Sequence, residues 1–446
     1  MIGKARVPSH DGGPLGRLSA GQTFFILGLS LWMFCRILKT SYYIEVAGTL
    51  LRLGTYAGLT LCVFSELFSK EFGLRSFALA LVMLFLILML YRVGDNDVVP
   101  MLVIAFTSRH YKLRNLLVAT MPVLIIALLL IVASYEAGVI TQSYSDDGIR
   151  MRESLGFGWV TFLSHYYLEF VTCHALLRSS RIKTWEIGVL FIFNVLIWLA
   201  TAARNSFILT AVFLILLLVI KRVGYWSCGS LFAGIAAASY PVSALVSWLM
   251  YVVVDPYSAM GYELNLLLSR RISLTQQALD IYGISPFGNI VTWVTQSGIK
   301  SGAYLQSQYL YVDCSYINAL INYGWVVTSL LVVALVVVTF KATKRSGVIM
   351  GLAFFLFAIH GIVDPQLFDL HYCLLLLLLG NVFSAEWEWE RRTMDFVTPV
   401  YGSEMENRDR RPYAGTSIVS IGLSSAETKV GADGLGGFLG GVHGGE

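Results

Sequence analysis

Apolar residues run along this chain in blocks of about the twenty that a membrane-crossing helix needs, and polar turns separate the blocks. On that ruler the runs fall at roughly 20–38, 45–66, 73–91, 98–108, 116–138, 157–177, 184–202, 205–220, 227–252, 316–340, 347–363 and 369–385. The pattern predicts an all-α, polytopic integral membrane protein of about twelve transmembrane helices. The fourth run is short. The apolar stretch 184–220 is too long for one helix and is broken only by Thr-Ala-Ala-Arg-Asn-Ser around Arg204, so it is read as a tight hairpin with Arg204 at its tip. Between the ninth and tenth spans lies a long, mostly polar interval, 253–315, with Pro256 and Pro286-Phe287-Gly288-Asn289 marking turns.

Lysine and arginine collect in cytoplasmic loops, which tests the hairpin. With both termini inside, the inner loops and N-terminal segment hold sixteen of these residues against nine outside. Reading 184–220 as a single helix would move Lys221, Arg222, the Lys341 to Arg345 cluster and the C-terminal tail to the outside. The hairpin therefore stands. The domain layout follows: a cytoplasmic segment 1–19, a transmembrane domain 20–385, and a tail 386–446 whose charged, then Gly/Ser-rich composition predicts disorder. The first run lacks the small-residue site of a cleaved signal and is expected to remain as a span.

Composition agrees with this layout. Hydrophobic residues make up 56% of the chain and charged residues 13%, far from the soluble range of about 25% charged; mean hydropathy is +0.69. The net charge of +4 is topological and does not suggest nucleic acid. The six cysteines are dispersed singly, without disulfide or zinc spacing. No Walker loop, dinucleotide fingerprint or GxSxG elbow is present, which leaves a nucleotide-driven pump or a serine esterase without support.

Candidate chemistry concentrates in the outer segments. The loop 139–156 brings Asp146, Asp147, Arg150, Arg152 and Glu153 together, and Arg204 has no neighbouring carboxylate, so its guanidinium is placed to hold an anion. The large loop carries Arg270, Arg271, Glu263, Asp280 and Asp313, and the pattern of SRRISLTQQALDIYG predicts a short surface helix. Asp313 has two readings, an N-cap of the next helix and a base. Tyr304, Tyr309, Tyr311 and Tyr316 either stack on sugars or anchor at the interface. His360, Asp364, Asp369 and His371 lie near the outer surface, without the His-Glu-x-x-His spacing of a zinc site.

Four stretches, RESLGFG, TAARNSF, LSRRISLTQQALDIYGISPFG and VDCSYINALINYGW, resemble in order and spacing the O-antigen polymerase/ligase family, and in particular the Wzy-type polymerases of bacterial polysaccharide repeat units. The resemblance runs from about Tyr111 to Asp369. It implies a glycosyltransferase of the bacterial plasma membrane that extends capsule, exopolysaccharide or O-antigen from undecaprenyl-diphosphate-linked oligosaccharides on the outer face. Metal independence, without a cofactor, is expected from the residues themselves: no His/Asp/Glu cluster on the outer face has the compact spacing of a divalent site, and the arginines can neutralise a diphosphate. A flippase and a chain-length regulator are the partners the resemblance implies. The arginines matching Arg204 and Arg271 would hold the diphosphate, with Asp313 as the third catalytic residue, and Arg150, Arg152, Arg270, Tyr316 and Asp364 would line the substrate. The ligase branch has a histidine where this chain has Asp313. A ligase-like transferase and a non-enzymatic transporter of lipid-linked oligosaccharide are the alternatives. Charges at the span ends, with only Arg52 and Glu169 well inside spans, favour a one-sided enzyme.

One prediction follows from the charge asymmetry. A cysteine introduced at Ser297 should react with a membrane-impermeant thiol reagent from outside intact cells; labelling from the inside alone would overturn the topology.

Overall fold

The computed structural model describes residues 18–68, 73–94, 97–141, 144–146, 151–224, 227–295, 305 and 308–393. Among the described residues, eight helices are long and apolar enough to cross a membrane. They are α1 (Ala20–Lys39), α2 (Tyr43–Phe64, continued by a 3-10 turn to Phe68), α3 (Leu74–Arg92), α5 (Leu113–Glu136), α7 (Thr184–Thr201), α8 (Arg204–Val223), α9 (Ser230–Trp248, continued by a π turn to Val253) and α12 (Ser315–Ser346). Shorter helices accompany them: α4 (Val98–Ser108), α6 (Phe162–Arg178) and α13 (Val348–Val363). Leucine and isoleucine side chains such as Leu50, Leu53, Leu74, Ile192 and Leu199 face outward, as a multi-pass membrane protein in contact with lipid requires.

The hairpin expected at Arg204 is present. Ala202 turns through the left-handed region and Ala203 is the N-cap of α8, so α7 and α8 pack as neighbours with Arg204 opening α8. In the large loop, α10 (Ala259–Leu267) and α11 (Arg271–Tyr282) form, α11 where a surface helix was expected. The loop then docks on a break in α12. Gly324 adopts φ +80°, and the amides freed there are taken up by the loop: Trp325 N–H donates to Ser285 O at 3.1 Å and Val326 N–H to Pro286 O at 3.0 Å. The polar turn 285–289 is thereby fixed to the helix that begins just after Asp313.

The twelfth span differs from expectation. The run 369–385 is not an α-helix; its centre, Leu374–Asn381, is an eight-residue 3-10 helix, and residues 370–381 are all buried. Non-helical backbone survives at membrane depth only where protein encloses it and satisfies its polar groups. Here Leu374 N–H donates to Glu169 Oε1 at 2.9 Å, and Leu377 O accepts from Ser108 Oγ at 3.0 Å and from Arg392 Nη2 at 2.9 Å. Gly380 lies so close to α4 that a Cβ would stand 1.9 Å from Ala105 O. The leucine run thus fills the middle of the bundle instead of facing lipid.

The tail also departs from expectation at its start. Residues Glu386–Thr393 form a helix, α14, with Trp389 buried and Arg392 buried against Ser108, Tyr111 and Leu377. Residues 394–446 lie outside the described residues. The contacts of Arg392, the Arg109–Glu66 ion pair and the reach of Lys341 to Val382 O and Ser384 O tie together the end of the bundle where α1 starts. At the other end, Gly158 N–H donates to Thr40 O at 2.8 Å and Arg36 pairs with Asp97 at 2.6 Å.

Gly324 gives this account a test. An alanine there would carry a left-handed φ costing roughly 1–3 kcal/mol, and its Cβ would meet Gly288 N at 2.3 Å and Pro286 O at 2.5 Å. Gly324→Ala should lower the melting temperature of the purified protein and expose the 285–289 turn to protease, whereas an unchanged melt and cleavage pattern would contradict the docking.

Candidate functional site

The end of α13 and the start of α12 meet at Asp364, and polar side chains from α6, α8 and α11 converge on that meeting point. Asp364 O accepts from Ser315 N–H at 3.1 Å and from Ser315 Oγ, and Ser315 Oγ in turn accepts from Leu367 N–H at 3.0 Å. Its carboxylate faces inward. Asp364 Oδ1 accepts from Gln366 N–H at 3.3 Å, and Asp364 Oδ2 lies 2.9 Å from Nε2 of His165 on α6. The other ring nitrogen of His165, Nδ1, meets Gln366 Oε1. His360, one helical turn before Asp364, sets its ring edge-on to His165 with centroids 4.6 Å apart, and its Nε2 is 3.3 Å from Ser206 Oγ.

Arg271 joins this group from the large loop. Its Nε is 2.9 Å from Asp313 Oδ2 and its Nη1 donates to Val363 O at the C-terminal end of α13, where the helix dipole favours a cation. Asp313 was read as a cap or a base. It caps nothing: the N-cap of α12 is Cys314, without a side-chain bond, and the Asp313 carboxylate turns to Arg271. Arg271 and Asp313 each keep about a quarter of their side-chain surface exposed.

The two carboxyls differ. Burial pushes Asp313 above the usual carboxylate range, and the Arg271 guanidinium only partly offsets it. Asp364 is also pushed up by burial, but His165 and His360, helped by Arg271, outweigh that and hold it below the usual range. Environments that separate two acids in this way divide their roles, one ready to take a proton and one kept ionised.

The other expected site residues fall into four groups. Arg152 donates through Nε to Thr201 O at 3.1 Å, and Thr201 Oγ1 is 3.1 Å from Ser164 Oγ beside His165, so the short β-hairpin of β1 (Tyr144–Asp146) and β2 (Met151–Glu153) is tied to the α7–α8 corner. Arg204 is exposed at the first turn of α8, two residues before Ser206, and Arg270 is exposed with φ +63° immediately before α11. Tyr316 is a correction: it is 1% exposed and its hydroxyl donates to Ala358 O at 2.9 Å, so it packs α12 against α13 and presents no ring to a substrate. Arg150 lies outside the described residues.

His165, Gln366 and Ser206 are the members that sequence reading missed. The signal was present in part, since His165 and Glu169 are polar residues one turn apart in an apolar run, and ionisable groups in such runs mark function. The same missed partner explains why no compact metal-ligand spacing was visible: His165 meets His360 and Asp364 only through the fold.

No protein-family model matches the chain, and no curated protein or solved structure is similar to it.

Arg271 lowers the proton affinity of Asp313, so Arg271→Gln should raise it further. The infrared carboxyl band that disappears in Asp313→Asn should then titrate at higher pH in Arg271→Gln than in the unaltered protein; an unchanged or lower titration would show that the pair is not coupled.

Proposed function

We propose that this protein is a polysaccharide polymerase of the plasma membrane, joining undecaprenyl-diphosphate-linked oligosaccharide repeat units at the end of the bundle that carries Arg271 and Asp313. The observation that carries the reading is the Arg271–Asp313 pair beside the buried Asp364, with the exposed Arg204 at the neighbouring helical corner. Transfer of a glycan from a lipid diphosphate needs a base for the acceptor hydroxyl and fixed cations for the departing diphosphate. This end of an otherwise apolar bundle supplies both.

The chemistry runs as follows. Asp313 takes the proton of the acceptor hydroxyl as that oxygen bonds to the anomeric carbon of the donor glycan, and the bond from the anomeric carbon to the diphosphate oxygen breaks. The negative charge leaves with the lipid diphosphate. Protonation of Asp313 removes the partner that Arg271 holds at rest, so the guanidinium turns to the diphosphate as that charge develops. Arg204 is the second cation, and Arg152, anchored to Thr201, and the exposed Arg270 border the donor. Asp364, held by His165, keeps Arg271 in place from behind. The active end faces away from the cytoplasm, with both termini inside, and the protein works beside a flippase and a chain-length regulator.

Elongation of a lipid-linked repeat unit by purified protein in nanodiscs tests the proposal. Losing one such cation should cost ~2.7–4 kcal/mol, about a hundred- to a thousand-fold in rate. Arg204→Lys and Arg271→Lys should fail almost as badly as the alanine variants, because lysine lacks the bidentate fork. Full activity in both lysine variants would return the transporter reading.

A further inference from the structure

We infer that His165, His360 and Asp364 form a binding site for a divalent transition-metal ion of the zinc type. One ligand atom from each lies within 4.8 Å of the other two, all three residues are buried, and no other such group occurs among the described residues. The donors come from α6 and α13, so an ion there would clamp two helices to each other. Imidazole and carboxylate together suit zinc, whose Zn–N distances of about 2.0–2.1 Å place tetrahedral ligand atoms roughly 3.3 Å apart.

The ring of His165 carries the argument further. Gln366 Oε1 is an acceptor, so Nδ1 is the nitrogen that donates to it. That leaves Nε2 as the atom that faces Asp364 Oδ2, 2.9 Å away. A ring nitrogen and a carboxylate oxygen at that distance share a cation. A proton would serve for the pair alone, but it leaves unexplained why a third donor, His360, is brought to the same point. A hydrogen-bond acceptor on the far nitrogen of a histidine is the usual support of a metal ligand, because it fixes the tautomer and the ring plane, and Gln366 Oε1 stands in that place here. The main chain around Asp364 is held separately through Ser315, and carboxylate oxygen Oδ2 faces His165. Three protein donors would leave a fourth position for a small oxygen ligand. The ligand set brings one negative charge to the ion, and the neighbouring Asp313 is neutralised by Arg271.

This inference concerns binding and stands independently of the glycan-transfer reading. It is tested on full-length, tag-free protein, stripped with chelator in nanodiscs and then titrated with zinc and with cobalt(II). Elemental analysis should find one zinc per chain, and cobalt should give the visible absorption of a four-coordinate nitrogen/oxygen site. His165→Asn and His360→Asn should lose the ion, and Gln366→Leu should weaken affinity about 10–100-fold. His174→Asn, altering a histidine that pairs with Glu186 outside the cluster, should bind as before. Stripped protein that takes up neither ion, or a His360→Asn variant that binds as tightly as the unaltered chain, would leave only a proton between His165 and Asp364 and overturn the assignment. Should a histidine variant not fold, the cobalt spectrum of the unaltered protein decides by itself.

Discussion

Asp364 holds two parts of the molecule with two different groups, and the polar end of the bundle depends on that division. Its main-chain oxygen joins the end of α13 to the start of α12 through Ser315, while its carboxylate reaches across to His165 on α6. With the oxygen engaged, Asp313 sits two residues before the anchored Ser315, and Arg271 spans from Asp313 to the last carbonyl of α13. Removing the carboxylate would leave His165 facing a gap and Arg271 with one carboxylate fewer. Breaking a buried charged pair by deleting one partner is among the costliest changes a core can suffer.

The chain leaves Asp364 as irregular backbone in the middle of an apolar bundle, which is tolerable only because the surrounding helices carry polar groups at the right heights. Glu169 meets the main chain of the 3-10 segment at Leu374 N–H, and Ser108 and Arg392 both meet it at Leu377 O. Glu169 and Ser108 therefore have a structural task. Arg392 is a long cationic side chain that reaches from the C-terminal helix into the bundle to satisfy carbonyl groups, so a helix composed as a surface segment becomes part of the core.

Much of this was legible in the sequence. Block length placed eight of the long helices, and the arginine in the Thr-Ala-Ala-Arg-Asn-Ser break marked the α7–α8 corner, because an apolar stretch that long must turn. The polar interval gave Arg271 and Asp313 as candidates. Three things were hidden. The leucine run 374–379 has the composition of a span, and only its enclosure by other helices reveals that it is not one. Tyr316 looked like an interface residue because its depth follows from how α12 packs on α13, which local pattern does not encode. His165 sits in a run read as a membrane span, and its role comes from partners that the fold brings from the far end of the chain.

The central claim is that Arg271 and Asp313 act as one unit in glycan transfer. Residues that serve one step together lose their contribution together, so their effects on rate do not multiply. The direct measurement is the elongation rate of Arg271→Gln, Asp313→Asn and the double variant, each on the same lipid-linked repeat unit. A double variant no slower than the slower single one is the result expected. A double variant whose loss equals the product of the two single losses would show that the two residues act independently, and would contradict the account.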